Sequence, residues 1–186
     1  MLKQYGASLI ELLIGLAVLG FVLAIAIPNL TSWMQNAQVR TAAESVLNGV
    51  QVARAEAVRR NGQAIFNLNG SGGMADWSVL AYDQANGQFD LPVQSWKGAQ
   101  AQNARVGAST APTQDYSTAL AAGAGLPASV TFDALGHVVG TGITRIDVTN
   151  AAMSSARRLV VVISSYGLIR LCDPLLVLAS NPQGCA

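Results

Sequence analysis

The chain has 186 residues and a mass of 19.3 kDa, with 51% apolar residues, 11% charged residues and a formal charge of +1. Ordinary soluble chains carry roughly 25% charge, so this composition excludes disorder over most of the length, and a freely soluble, highly charged cytoplasmic protein as well. It also excludes a global basic field for nucleic acid, leaving only a local patch for such binding. The length suits one ordinary domain, or a small domain plus one long element.

The apolar excess gathers at the N-terminus. It begins at Ala7, is interrupted once by Glu11, and runs without charge over residues 12–27. About twenty such residues span the ~30 Å of hydrocarbon in a bilayer as a helix. The segment keeps no polar face, as a buried soluble helix would. A cleaved signal peptide fits less well. The apolar part exceeds the usual ~7–15 residues, and no Ala-x-Ala site follows it. The reading is a retained membrane helix with Lys3 on the cytoplasmic side. Glu11 is the odd residue, because a carboxylate at mid-bilayer costs about 2.5–3.5 kcal/mol. It is either an interfacial Glu tolerated near the surface or the partner of a charge met in the membrane or in an assembly.

Residues 6–13, Gly-Ala-Ser-Leu-Ile-Glu-Leu-Leu, resemble a type IV prepilin N-terminus: a short basic leader ending in Gly, then an apolar run with Glu at its fifth position. The resemblance implies cleavage between Gly6 and Ala7 by a prepilin peptidase, N-methylation of Ala7, and a helix that anchors the subunit before packing into a filament core. The family usually has Phe where Ala7 stands. The resemblance also gives Glu11 a task, neutralising the new N-terminal amine of its own or an adjoining subunit. That pairing avoids two unpaired charges in a nonpolar setting and sets axial register.

Pro28 closes the apolar run, and its missing N–H predicts a kink or local melting there. The helix pattern then resumes. Val39, Ala43, Val46, Val50, Ala53 and Ala57 form a narrow apolar seam, and Asn61-Gly62 is a C-cap. Residues 8–61 as one helix would be ~80 Å long, and the second half needs a sheet over its seam. Strands are predicted at 64–68, 77–82, 128–132, 143–149, 158–164 and 167–172, with turns at 69–73, 133–136 and 165–167. The apolar 157–163 run belongs in the centre of a sheet. Residues 97–125, rich in Ala, Gly, Gln, Ser and Thr, read as a long surface excursion with weak structure. The fold class is α+β, a long N-terminal helix packed on an antiparallel β-domain. Its parts are a leader (1–6), a transmembrane and assembly helix (7–28), an amphipathic helix (29–61) and a periplasmic β-domain with a disulfide loop (62–186).

Residues 47–61, 130–136 and 159–174, the last ending in Cys-Asp-Pro, resemble GspH/FimT-type minor pilins such as FimU and FimT. Residues 69–127 carry little resemblance.

Cys172 and Cys185 are the two cysteines. An even count in an exported domain suggests a disulfide, worth about 3 kcal/mol in the chain-entropy model; two free thiols are the alternative. His137, the single histidine, sits beside Gly136 and reads as a turn residue. Two Cys and one distant His make no metal set. No catalytic motif is present, so neither an enzyme nor a cofactor is expected.

The resemblance to FimT-like members raises DNA binding, because their motif is Gly-Arg-x-Arg in the C-terminal region. The matching stretch here is Gly167-Leu168-Ile169-Arg170, with one of the two arginines. Arg157 and Arg158 add cations on the preceding strand. However, residues 62–186 hold six Lys/Arg against seven Asp/Glu, a net of −1, and each missing phosphate contact removes about one unit of salt-linked affinity. An alternative use of Arg170 is to pair with Asp173 or cap carbonyls of the C-terminal loop.

The combined expectation is a minor pilin for a pilus-tip or priming complex. It would sit single-pass in the inner membrane with a periplasmic domain before entering the pilus, and its partners would be other minor and major pilins and the prepilin peptidase/N-methyltransferase. The alternatives are a FimT-like DNA receptor for natural transformation and a GspH-type pseudopilin of a type II secretion system.

Overall fold

A computed structural model describes residues 8–112 and 115–185, without the side chains at 25, 26 and 28. The chain divides into two units, residues 1–34 and 35–186. Helix α1 (Leu9–Arg60) supplies the described part of the first unit and opens the second. It is continuous across Pro28, so the local melting expected there does not occur. Just beyond the proline, Thr31 Oγ1 donates to Ile27 O and Ser32 Oγ to Asn29 O, both at 2.9 Å, adding side-chain bonds to that turn.

In the second unit the predicted seam is the buried stripe of α1. Val39, Ala43, Val46, Val50, Ala53 and Ala57 are at most 1% exposed, joined by Ala42. The helix ends at Asn61, which adopts a left-handed φ of 48°. Gly62 N–H bonds to Ala57 O at 3.0 Å and Asn61 N–H to Val58 O at 3.1 Å. This crossed pair satisfies carbonyls that the helix end would otherwise orphan.

Among the described residues eight strands follow: β1 (Ala64–Leu68), β2 (Trp77–Asp83), β3 (Gln88–Trp96), β4 (Ala104–Ser109), β5 (Ala128–Phe132), β6 (Arg145–Asn150), β7 (Leu159–Ile163) and β8 (Ile169–Cys172). They form two antiparallel sheets of order β3-β2-β1-β5 and β4-β6-β7-β8. Period-two alternation turns Phe66 and Leu68 of β1 and Trp77, Val79 and Ala81 of β2 into the core. Each such large side chain is worth about 1.5–3 kcal/mol when fully buried. The helix meets this face closely at Gly49, where a Cβ would lie 2.8 Å from the Phe66 ring and 2.9 Å from Trp77. The Trp77 indole N–H in turn donates to Ser45 Oγ at 3.0 Å.

Six strands match the expectation in place, with ends shifted by a residue or two, and β7 is internal to its sheet as its apolar run requires. Two strands went unpredicted. Strand β3 carries Pro92 but lies at a sheet edge, where a missing N–H is tolerated. Strand β4 corrects the reading of 97–125 as weakly structured. Ala104, Val106 and Ala108 are buried, and Ala108 N–H bonds to Ala124 O while Gly123 N–H bonds to Val106 O, both at 2.8 Å. Small residues hid this strand, since alanine and glycine have little β-propensity. They are needed because a second backbone lies against it: a Cβ on Gly107 would be 2.5 Å from Ala121 O.

Residues 133–144 link the two sheets. Val139 N–H bonds to Thr131 O of β5, and Val138 N–H to Ser165 O of the β7–β8 turn. The far face of the second sheet is also covered: Val160 of β7 packs with Cys172, Cys185, Tyr116 and Val162.

Candidate assembly and binding surfaces

In the first unit, the described side chains of α1 include a long run of exposed apolar residues. Leu12, Leu13, Ile14, Leu16, Val18, Leu19, Phe21, Val22 and Leu23 are each about half exposed or more. An 18-residue window of this helix reaches a mean hydropathy of 2.7, long and apolar enough to cross a membrane. Glu11 lies in its first turn, where a carboxylate favours the positive end of the helix dipole. Gly6 and Ala7, the expected cleavage and methylation positions, lie outside the described residues.

The three arginines proposed as DNA contacts all have partners within the domain. Arg157 forms an ion pair through Nε with Asp173, and its backbone N–H donates to Asn36 Oδ1 at 2.8 Å. Arg158 Nη1 lies 2.5 Å from Asp147 Oδ2, while Nη2 donates to the carbonyls of Tyr116 and Ser117. Arg170 Nη2 donates to Cys185 O at 2.9 Å, the carbonyl-capping alternative rather than a pair with Asp173. Of the three, only Arg157 is exposed, with its side chain at 53%.

Cys172 and Cys185 are joined as a disulfide with a Cα separation of 5.0 Å. Asp173 organises the loop that this bond closes. It is buried, its Oδ1 accepts the Leu175 N–H at 2.8 Å, and its own N–H donates to Gln183 O at 2.7 Å. The Cys-Asp-Pro ending is therefore a loop-closing device in which sulfur, carboxylate and backbone act together.

Arg145 and Asp147 were not singled out from sequence. Both project from β6 and are buried, at 5% and 0% exposure. Arg145 Nε and Nη2 grip Asp147 Oδ1 and Oδ2 at 2.6 and 2.9 Å. The same guanidinium donates to Asp115 O and Thr118 O and sits 5.2 Å from the centre of the Tyr116 ring. Asp147 Oδ2 also accepts the Leu120 N–H at 3.0 Å. Together with Arg158 this ionic cluster clamps residues 115–120 onto the second sheet. The one signal in the sequence was Arg-x-Asp on a strand, which places both charges on one face.

At the helix end, Glu56 is 8% exposed and takes Arg59 at 2.6 and 2.8 Å and Arg60 through Nε. Hydrogen bonds from Arg59 first, then Arg60, lower its pKa from the ordinary 4.5 to about 2 against the opposing effect of burial. A depressed carboxylate pKa contributes stability that is complete above 4.5 and fades as pH falls toward 2. Glu56→Gln should therefore cost about 1 kcal/mol at neutral pH, a figure reduced for the exposure of the arginines. Urea melts at pH 7 and pH 2 check this: the gap between wild type and variant should close at the lower pH, and a constant gap would assign the loss to packing.

Two turns meet beside this helix end. Arg54 Nε donates to Gly136 O at 3.2 Å. Gly136 and Gly167 both have positive φ, 78° and 76°. A Cβ on Gly167 would lie 1.9 Å from Gly136 O. His137 is exposed in the first of these turns, edge-on to Tyr166 of the second, with ring centres 6.4 Å apart. Its backbone N–H, with that of Leu135, donates to Asp133 Oδ1 and helps hold that carboxyl below the usual range. An open groove of about 470 Å³ runs alongside, lined by Gln51, Arg54, Val58, Arg59, Leu168 and Ile169 among others. Its two arginines already have partners in Gly136 O and Glu56.

A family model described as the prokaryotic N-terminal methylation motif matches residues 1–27. One described as type II transport protein GspH matches residues 42–167, more than half of the chain. Among solved structures the chain is similar to the type IV minor pilin FimU of Pseudomonas aeruginosa strain PAO1, at 20% identity and a TM-score of 0.54, over 83% of this chain and 99% of that one. A second crystal form of FimU gives a TM-score of 0.50 at 20% identity, over 79% and 99%. The minor pseudopilin EpsH from the type 2 secretion system of Vibrio cholerae is similar at 12% identity and a TM-score of 0.49, over 74% and 98%. No curated protein sequence matches. At this identity the likeness to FimU establishes the fold alone.

Proposed function

Because the chain belongs to the GspH family of pilin-like proteins, we propose that it is a minor pilin made as a prepilin, which helps to assemble a type IV pilus. The observation that carries this reading is the succession along one chain of a methylation motif, an exposed apolar helix and a GspH domain. In this reading a prepilin peptidase cuts between Gly6 and Ala7 and methylates Ala7. The helix over residues 7–28 holds the subunit in the inner membrane, and the domain over 62–186 folds in the periplasm. On assembly the helix exchanges lipid for the helices of other minor and major pilins. No chemistry is required of the domain; its work is packing.

Glu11 is the residue on which the mechanism turns. The amine created at Ala7 is a cation in a nonpolar setting, and a carboxylate one helical turn away in the same or an adjoining subunit neutralises it. Glu11→Ala should leave cleavage and membrane insertion intact, because neither needs the carboxylate. It should lower incorporation by on the order of tenfold or more, since an unpaired buried charge costs several kcal/mol. Mass measurement of the N-terminus and immunoblotting of sheared pili separate the two steps. Wild-type levels of the variant in pili would remove the register role.

The GspH family description favours one second reading, a minor pseudopilin of a type II secretion system. Co-purification with pilus or with secretion components distinguishes the two. DNA uptake is a weaker reading here, because Arg157, Arg158 and Arg170 are engaged with Asp173, Asp147 and Cys185 O.

A further inference from the structure

Between Glu11 and Arg40 the sequence contains no Asp, Glu, Lys or Arg. Within that window stands Trp33, 68% exposed near the end of the first unit. The other two tryptophans are placed differently. Trp77 is 3% exposed and donates its indole N–H to Ser45, and Trp96 donates to Gln100 Oε1 at 2.9 Å. Among the described residues the Trp33 N–H has no partner, which leaves a large apolar ring with one unsatisfied donor on an open helix face.

The spacing says what meets it. Trp33 follows Glu11 by 22 positions of one helix, which is ~33 Å at 1.5 Å per residue. The hydrocarbon of a bilayer is ~30 Å thick. A carboxylate is costly inside it and cheap at its edge, so Glu11 belongs at one boundary and Trp33 then falls at the other. That is where tryptophan is enriched, since its ring body prefers the acyl side and its N–H the headgroup side. The flanking polar residues suit the same depth, because the Thr31 and Ser32 hydroxyls are already bonded to the carbonyls of Ile27 and Asn29. Trp33 is also continuous with the exposed apolar surface of Leu23, Ile27 and Leu30 that the anchoring reading places in lipid.

We propose that Trp33 is an interfacial anchor, seated in the phospholipid headgroup layer on the side of the membrane that holds the folded domain, and that it sets the depth of the helix before assembly. This rests on the membrane-anchored prepilin reading and adds the contact that fixes its position. The test uses the full chain in phosphatidylcholine vesicles whose acyl chains carry bromine either near the headgroup or near the terminal methyl. Tryptophan emission is compared between wild type and Trp33→Phe, and the difference isolates Trp33, while the emission remaining from Trp77 and Trp96 reports that the domain is folded. The Trp33 component should be quenched about twofold or more strongly by the shallow bromines. Stronger quenching by the deep bromines would put Trp33 inside the hydrocarbon and overturn the proposal. So would no quenching in protein that floats with the vesicles, which would place the ring in water or under a second copy. Failure to float with vesicles would overturn the anchoring reading itself, and this inference with it.

Discussion

Asp147→Ala is expected to destabilise the domain by about 3–5 kcal/mol, the cost typical of leaving a buried charge without its partner. Asp147 is fully buried, and Arg145, 5% exposed, grips both of its oxygens. Arg158 shares Oδ2. Removing the carboxylate leaves two guanidiniums close together in a poorly hydrated place and strands the Leu120 N–H as well. The damage should concentrate in residues 115–120, whose carbonyls and N–H the cluster holds. Urea unfolding of the full chain in detergent, followed through tryptophan fluorescence, measures the loss. Limited proteolysis should show new cleavage within 115–120 before global unfolding. A change below about 1 kcal/mol would mean that the Asp115 and Thr118 carbonyls and the Tyr116 ring satisfy Arg145 by themselves.

Gly167→Ala is the second large effect, expected at about 3 kcal/mol. A left-handed backbone costs a residue with a Cβ about 1–2 kcal/mol, and overpacking adds about 1–3 kcal/mol. Here the φ is 76° and the obstacle is Gly136 O at 1.9 Å, a backbone atom in a turn already bonded to Arg54. Gly136→Ala should cost less. Its φ is similar, but its Cβ would meet Arg54 Nε at 2.8 Å, a side chain able to swing aside. Thermal melts of the two variants check the ranking. Equal losses would show that backbone conformation alone sets the cost, and the reverse order would show that the Arg54 contact is rigid.

These two sites also mark where reading from sequence stops. The Asp-Ala-Leu-Gly and Tyr-Gly turns were legible as turns, since glycine and aspartate signal them locally. That the two glycines press against one another is a contact between residues 31 positions apart, and nothing local encodes it. Arg158 illustrates the same limit from the other side. On a strand beside Arg157 it reads as a solvent-facing cation, yet its charge goes to Asp147 and to carbonyls of a segment about forty residues earlier.

What the sequence by itself determined is whatever repeats or terminates within a few residues. The apolar anchor with Glu11, the 4-3-4-3 seam of α1, the Asn61-Gly62 cap and six of the eight strands all follow from period and punctuation, because backbone geometry imposes 3.6 or 2 residues per repeat. What only the tertiary structure decided is which charges are buried and which small residues make a strand. Strand β4 is built, apart from Arg105, from Ala, Val, Gly and Ser because the 121–124 backbone packs onto it, and the Arg145–Asp147–Arg158 cluster exists because residues 115–120 cover that face of β6. A charge on a strand is cheap in water and tolerable in a core only when its partners arrive from elsewhere in the chain.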